Sequence, residues 1–95
     1  RLEMELRRTA NETRLFAELA RSEAWREPRS DEAEPDRTPI PKPALRSSNV
    51  PLGPVVVIGA CNFPIAISVV GTDTISALAV GCPVVVKAHP GHPAT

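Results

Sequence analysis

Between Val50 and Thr95 the chain carries one side-chain amide, Asn62, and one lysine or arginine, Lys87, in an otherwise almost uncharged run. An amide held beside a reaction centre can donate to a developing oxyanion. The same residue, directly before Phe63-Pro64, could instead cap a helix beginning there. Lys87 closes the run Val84-Val85-Val86. An ammonium in that place serves as a point charge for a ribose or phosphate, or simply reaches solvent at a strand end. No G-x-G-x-x-G or P-loop pattern follows either apolar run, so a conventional phosphate cradle is absent.

Cys61, Cys82, His89 and His92 invite a zinc reading. The cysteines lack C-x-x-C spacing and Cys82 lies just after a helix stop, which speaks against one. Cys61 at a helix start would have its thiolate stabilised, but no partner base stands near it, so it reads as a neutral packing cysteine. The N-terminal segment is charged and helical in pattern rather than apolar. Reduced thiols and a cytoplasmic location are therefore expected. Asp73, within an apolar segment, is expected to hydrogen-bond a neighbouring segment rather than to act in catalysis.

The elements that must position these residues follow from pattern. Val55 to Ile58 is a short β-branched run suited to a fully buried parallel strand, and Gly59 breaks it. Pro64 fits the first turn of a helix over 65–80, with Gly81 and Pro83 as its stop. Pro83 to Lys87 is a second buried strand. Strand, helix, strand with short connections is a βαβ unit with parallel strands and a right-handed crossover. The loops Gly59-Ala60-Cys61-Asn62 and Lys87-Ala88-His89-Pro90 then lie side by side at the carboxyl edge, where open α/β sheets bind ligands.

Residues 1–27 read as an amphipathic helix. Leu2, Leu6, Ala10, Thr13, Phe16, Ala17, Ala20 and Ala24 form its core-facing side, and Leu15 and Leu19 a second apolar strip. Glu3 with Arg7, Glu18 with Arg21, and Glu23 with Arg26 are helix-supporting pairs on a solvated face. Pro28 ends the pattern, and residues 28–49 are a Pro-rich extended segment. Pro39, Pro41 and Pro43 alternate within it. Such a stretch follows a polyproline or edge-strand path across a surface, an SH3-type ligand being the functional alternative. Residues 50–95 hold the βαβ unit.

The chain has 95 residues and 10.2 kDa, enough for one small domain and too little for a two-domain enzyme. Eleven cations balance eleven anions, so no overall field favours nucleic acid. All the Lys, Arg, Asp and Glu residues except Asp73 and Lys87 lie within residues 1–46, leaving an apolar half that something must cover. We therefore expect a segment of a larger protein. The run from Phe63 to Val86 is apolar enough to raise a transmembrane reading, but Asp73, Gly71, Gly81 and Pro83 interrupt it and no membrane partner is expected.

Val50-Pro51-Leu52-Gly53-Pro54-Val55, Cys61-Asn62-Phe63-Pro64 and Ala79-Val80-Gly81-Cys82-Pro83-Val84-Val85-Val86-Lys87 together resemble signature segments of the aldehyde dehydrogenase superfamily. Pro35-Asp36-Arg37-Thr38-Pro39-Ile40-Pro41-Lys42-Pro43 and Lys87-Ala88-His89-Pro90-Gly91-His92-Pro93 are similar to its branch of α-ketoglutaric semialdehyde and NADP-dependent fatty-aldehyde dehydrogenases. The resemblance covers essentially the whole chain. It implies an α/β fold, part of a Rossmann-like cofactor domain, and oxidation of an aldehyde to a carboxylate with NADP or NAD, in a homo-oligomer when full length.

By this resemblance Asn62 stabilises the oxyanion, and Lys87 meets the adenosine ribose or its 2′-phosphate. Gly59, Ala60 and Cys61 line the cofactor loop through their backbone. Many members carry a glutamate three residues after the lysine; here Pro90 stands there, with His89 able to assist Lys87 when protonated. The family's nucleophilic cysteine and general-base glutamate fall beyond Thr95, and neither Cys61 nor Cys82 takes the nucleophile's place. The chain alone is thus expected to be inactive. It departs from the branch at Cys61, usually Ser, and at Thr72, usually Gly. A noncatalytic module docking through its apolar half is the alternative of a different class.

Overall fold

The first helix, α1 (Leu2–Ser22), carries the expected ion pairs. Glu3–Arg7 is 2.8 Å and Glu18–Arg21 2.5 Å, both well exposed and so worth little individually, while Glu23–Arg26, at 3.4 Å, lies just past the helix with Arg26 half-buried. The helix stops at Glu23, in the left-handed region at φ 53°, and a 3₁₀ turn over Ala24–Arg26 follows. This computed structural model describes residues 1–95, an elongated body of 63 × 23 × 18 Å.

The face of α1 that docks is not the one hydrophobicity marks. Leu2 and Leu6 are 61% and 58% exposed, and Ala10 is exposed too, whereas Glu5 and Thr9 are buried. Of the expected side, Leu6, Ala10 and Thr13 border a groove with Ile65 and Val70, and the C-terminal part is less exposed. There Phe16, Ala17 and Ala20 line a groove with Ile75, Leu78 and Ala79 of the second helix. Leu15 stays exposed and Leu19 is half-buried.

The Pro-rich segment takes the edge-strand option as a two-stranded antiparallel ribbon. Strand β1 (Arg29–Asp31) pairs with β2 (Leu45–Ser47), Arg29 opposite Ser47 and Asp31 opposite Leu45. Further out, Glu34 and Lys42 exchange backbone bonds of 2.9 and 3.0 Å. The prolines fall between these pairing positions, so each missing N–H is one the ladder does not need. The base of the ribbon is tied to the end of the 3₁₀ turn. Asn49 gives its N–H to the Arg26 carbonyl at 2.8 Å and its side-chain amide to that of Trp25 at 2.9 Å.

Strands β3 (Val55–Ile58) and β4 (Val84–Lys87) pair in parallel through α2 (Thr72–Ala79), giving a mixed helix and strand unit. Val55 stands opposite Val84 and Ile58 opposite Lys87. The strands are not fully buried, contrary to expectation. Val57 is buried on the α2 side, but Val56, Ile58 and Val85 are each more than 60% exposed, because α2 covers one face of the pair and nothing within residues 1–95 covers the other. The core is small, formed around Val57, Ala66, Ala77 and Cys82.

The expected helix over 65–80 shortens to its C-terminal half. Residues 63–67 form a single turn closed by Ile67 N–H to the Phe63 carbonyl at 3.0 Å, and Pro64 lies in that turn rather than in α2. The chain then folds back, with Gly71 N–H bonded to the Ser68 carbonyl and Thr72 N–H to that of Ala66. Val69-Val70-Gly71 combines β-branching with a glycine, both unfavourable inside a helix. A Cβ on Gly71 would lie 2.6 Å from the Ala66 oxygen, so only glycine permits this reversal. The stop is as expected. Gly81 at φ 84° bonds its N–H to the Leu78 carbonyl and Cys82 bonds its own to that of Ala77, the double bond of a Schellman motif. Asp73 makes no bond to another segment. It is exposed in the first turn of α2, where its charge complements the helix dipole.

Candidate functional site

Because β3 and β4 run parallel and in register, their carboxyl ends are level. Gly59 N–H donates to the Lys87 carbonyl at 3.0 Å, extending the ladder one residue into the loops. From there the two loops stay together. His92 donates from Nε2 to the Ala60 carbonyl at 2.9 Å, and its ring stacks on that of His89 with centroids 5.2 Å apart and planes at 21°. His89 Nδ1 accepts from Gly91 N–H at 3.0 Å. Ala60 N–H is bound in turn to the Ile67 carbonyl at 2.9 Å, so the loop after β3 is held on both sides.

On this edge Lys87 is exposed, and its Nζ approaches only the Ala88 carbonyl, at 3.5 Å. Pro90 and Cys61 are exposed beside it, and His89 is half-buried. Exposure of Cys61 departs from the packing role expected of it; the packing thiol is Cys82, 3% exposed. No three His, Cys, Asp or Glu side chains converge as a metal site would require, and no helix is long and apolar enough to cross a membrane.

Asn62 does not cap α2, whose N-cap is Gly71. A cap on the 63–67 turn is the remaining structural role. In such a cap the Asn62 oxygen would accept the N–H two or three residues on. Pro64 has none, and that of Ile65 is taken by Glu5 Oε2 at 3.2 Å. The Asn62 side chain is left exposed, while its backbone carbonyl accepts from the Arg1 guanidinium. Arg1 and Arg8 also lie over the Phe63 ring, at 5.4 and 6.0 Å from its centroid.

Seven residues along α1, Glu12 accepts from the Thr72 hydroxyl and from Arg8 Nε at 2.7 Å. The Thr72 bond first, and the Arg8 guanidinium next, hold the Glu12 carboxyl below its usual range. Glu5 and Glu12 are the residues around this site that the hydrophobic pattern does not mark, and His92, weighed in the sequence as a zinc ligand, instead ties the two loops. The available signal was a polar stripe, Glu5-Thr9-Glu12, at helical spacing beside the leucines.

The family model for the aldehyde dehydrogenase family matches residues 1–95. The chain is 54% identical over 92 residues to alpha-ketoglutaric semialdehyde dehydrogenase 2 of Azospirillum brasilense, covering 97% of this chain and 18% of that protein. It is 50% identical over 95 residues to alpha-ketoglutaric semialdehyde dehydrogenase of Acinetobacter baylyi, covering 100% of this chain and again 18% of the relative. The chain therefore spans less than a fifth of the length of these relatives.

Proposed function

The chain belongs to the aldehyde dehydrogenase family, and on that footing we propose that it supplies the oxyanion donor and the adenosine side of the cofactor edge for NAD(P)-dependent oxidation of an aldehyde to a carboxylate. The aldehyde is α-ketoglutaric semialdehyde, the compound in the names of both relatives. The observation that carries this reading is the uncommitted Asn62 carboxamide at the carboxyl edge, with the turn N–H that would have engaged it bound elsewhere. The interaction-module alternative loses its ground, since the Pro-rich segment lies within the family match.

The parallel β3–α2–β4 unit is the start of a Rossmann-like cofactor domain. An anionic ribose phosphate fits this edge, because Lys87 is an unpaired cation there and the stretch 87–95 contains no carboxylate side chain. When bound, NAD(P) supplies the hydride acceptor. Lys87 Nζ holds the ribose hydroxyls or a 2′-phosphate, and the backbone of Gly59, Ala60 and Cys61 lines the wall beside it. As a nucleophile contributed from outside this chain attacks the aldehyde carbonyl, its oxygen gains negative charge. Asn62 Nδ2–H donates to that oxygen and lowers the barrier. A homo-oligomer is the state proposed for the complete enzyme.

In the complete enzyme, Asn62→Ala should lower kcat by about 10²- to 10³-fold with the cofactor KM little changed. A wild-type rate accompanied by a lower melting temperature would make Asn62 a structural residue and sink this reading.

A further inference from the structure

The geometry assigns Glu5 a positioning role: its carboxylate takes the N–H that Asn62 would otherwise cap, and so leaves the Asn62 carboxamide free for the reacting oxygen. This rests on the oxyanion reading of Asn62 given above.

Glu5 is 2% exposed, and it is the largest fully buried side chain in the chain. A carboxylate in that position is costly unless it is paired and hydrogen-bonded. Its Oε2 accepts from Ile65 N–H at 3.2 Å, across sixty residues of sequence. Its Oε1 has no hydrogen bond and is faced by Arg1 Nε at 3.5 Å, an ion-pair distance. Leu2 and Leu6, on either side of it along α1, remain exposed while the acid is buried. Leu6 and Ala10 border a groove with Ile65 and Val70 but stay exposed, so apolar packing alone does not account for the docking of this end of α1.

Arg1, Glu5 and Arg8 stand at i, i+4 and i+7, one stripe of α1. Together they hold three points of one turn: the Asn62 carbonyl, the Phe63 ring and the Ile65 N–H. Pro64 leaves Ile65 as the only N–H that an Asn62 cap could reach. Without the Glu5 acceptor, that part-buried N–H loses its partner, and the Asn62 side-chain oxygen is the capping group built to replace it. Turning inward to do so draws the carboxamide away from the site.

The test is a set of variants in the complete enzyme, each read for kcat, cofactor KM and melting temperature. Glu5→Asp keeps the charge but shortens the reach, and should lower kcat by at least about tenfold with cofactor KM unchanged, the scale of a small displacement at a reacting centre. Glu5→Gln keeps an acceptor for Ile65 and should recover most of the rate. In an Asn62→Ala background Glu5→Asp should cost no further kcat, since the group it positions is gone. A wild-type kcat for Glu5→Asp, or an equal loss with and without Asn62, would overturn the assignment. If Asn62→Ala itself leaves kcat unchanged, the oxyanion reading falls and the Glu5 role falls with it.

Discussion

The His92 imidazole donates to the Ala60 carbonyl at 2.9 Å and joins the loop after β4 to the loop after β3. Besides the Gly59–Lys87 backbone bond, it is the contact that fixes the spacing of the two halves of the proposed cofactor edge. His92→Leu removes the donor, and NADP binding by the complete enzyme should weaken about 3- to 10-fold, the scale of one hydrogen bond. His92→Gln retains a side-chain N–H and should recover part of that loss. Fluorescence titration with NADP checks both; an undiminished affinity for His92→Leu would mean that the backbone bond alone sets the edge.

Thr72 and Glu12 form a further polar tie, between α1 and the start of α2. The Thr72 and Arg8 bonds keep the Glu12 pKa below its ordinary value of 4.5. A depressed carboxylate pKa adds stability above the unfolded value, and this is lost as pH falls through the folded one. Thr72→Val keeps the shape and removes the donor. It should destabilise by about 1 kcal/mol at neutral pH. The gap between variant and wild type should narrow as the pH drops below 4.5. Thermal melts across pH 3 to 7 measure it, roughly spanning the carboxylate range, and a gap independent of pH would show that Thr72 acts through packing.

Both parallel strands are legible because Val55–Ile58, between Pro54 and Gly59, and Val84-Val85-Val86, after Pro83, are β-branched runs. The level placement of the two loops then followed from topology alone. The burial of those strands did not follow, since one face of the pair is bare within this chain. The length of α2 is not legible, because Ile65 to Val70 is apolar but for Ser68 and composition does not reveal that Gly71 permits a reversal with no room for a side chain. The docking face of α1 escapes the hydrophobic pattern for a related reason. Amphipathicity ranks Leu2 and Leu6 above Glu5, yet Glu5 meets a backbone N–H of the turn opened by Pro64, and a backbone partner leaves no trace in a hydrophobic pattern. Asn62 and Lys87 stood out for the opposite reason, as isolated polar groups in an uncharged run.

On the proposed reading, Lys87 sets how the edge treats the two cofactors. It stands opposite Ile58 at the end of the ladder, exposed and without an ion pair, and the residue three positions on is Pro90, which brings no carboxylate to repel a 2′-phosphate. His89 lies between them with Nδ1 already accepting from Gly91, so only its Nε2 is available to a phosphate. A phosphate monoester carries about two negative charges near neutrality, and an exposed ammonium attracts it by a Coulombic term that salt screens over roughly 10 Å at 0.1 M. We expect the complete enzyme to accept NADP at least as well as NAD. Lys87→Ala should weaken NADP more than NAD, by about tenfold where the charge contact is worth roughly 1.4 kcal/mol. The NADP advantage of the wild type should shrink between low and high salt while that of the variant stays flat. Dissociation constants for both cofactors at two salt concentrations make the measurement. Equal losses for NAD and NADP, independent of salt, would restrict Lys87 to the ribose and place the preference in another segment of the enzyme.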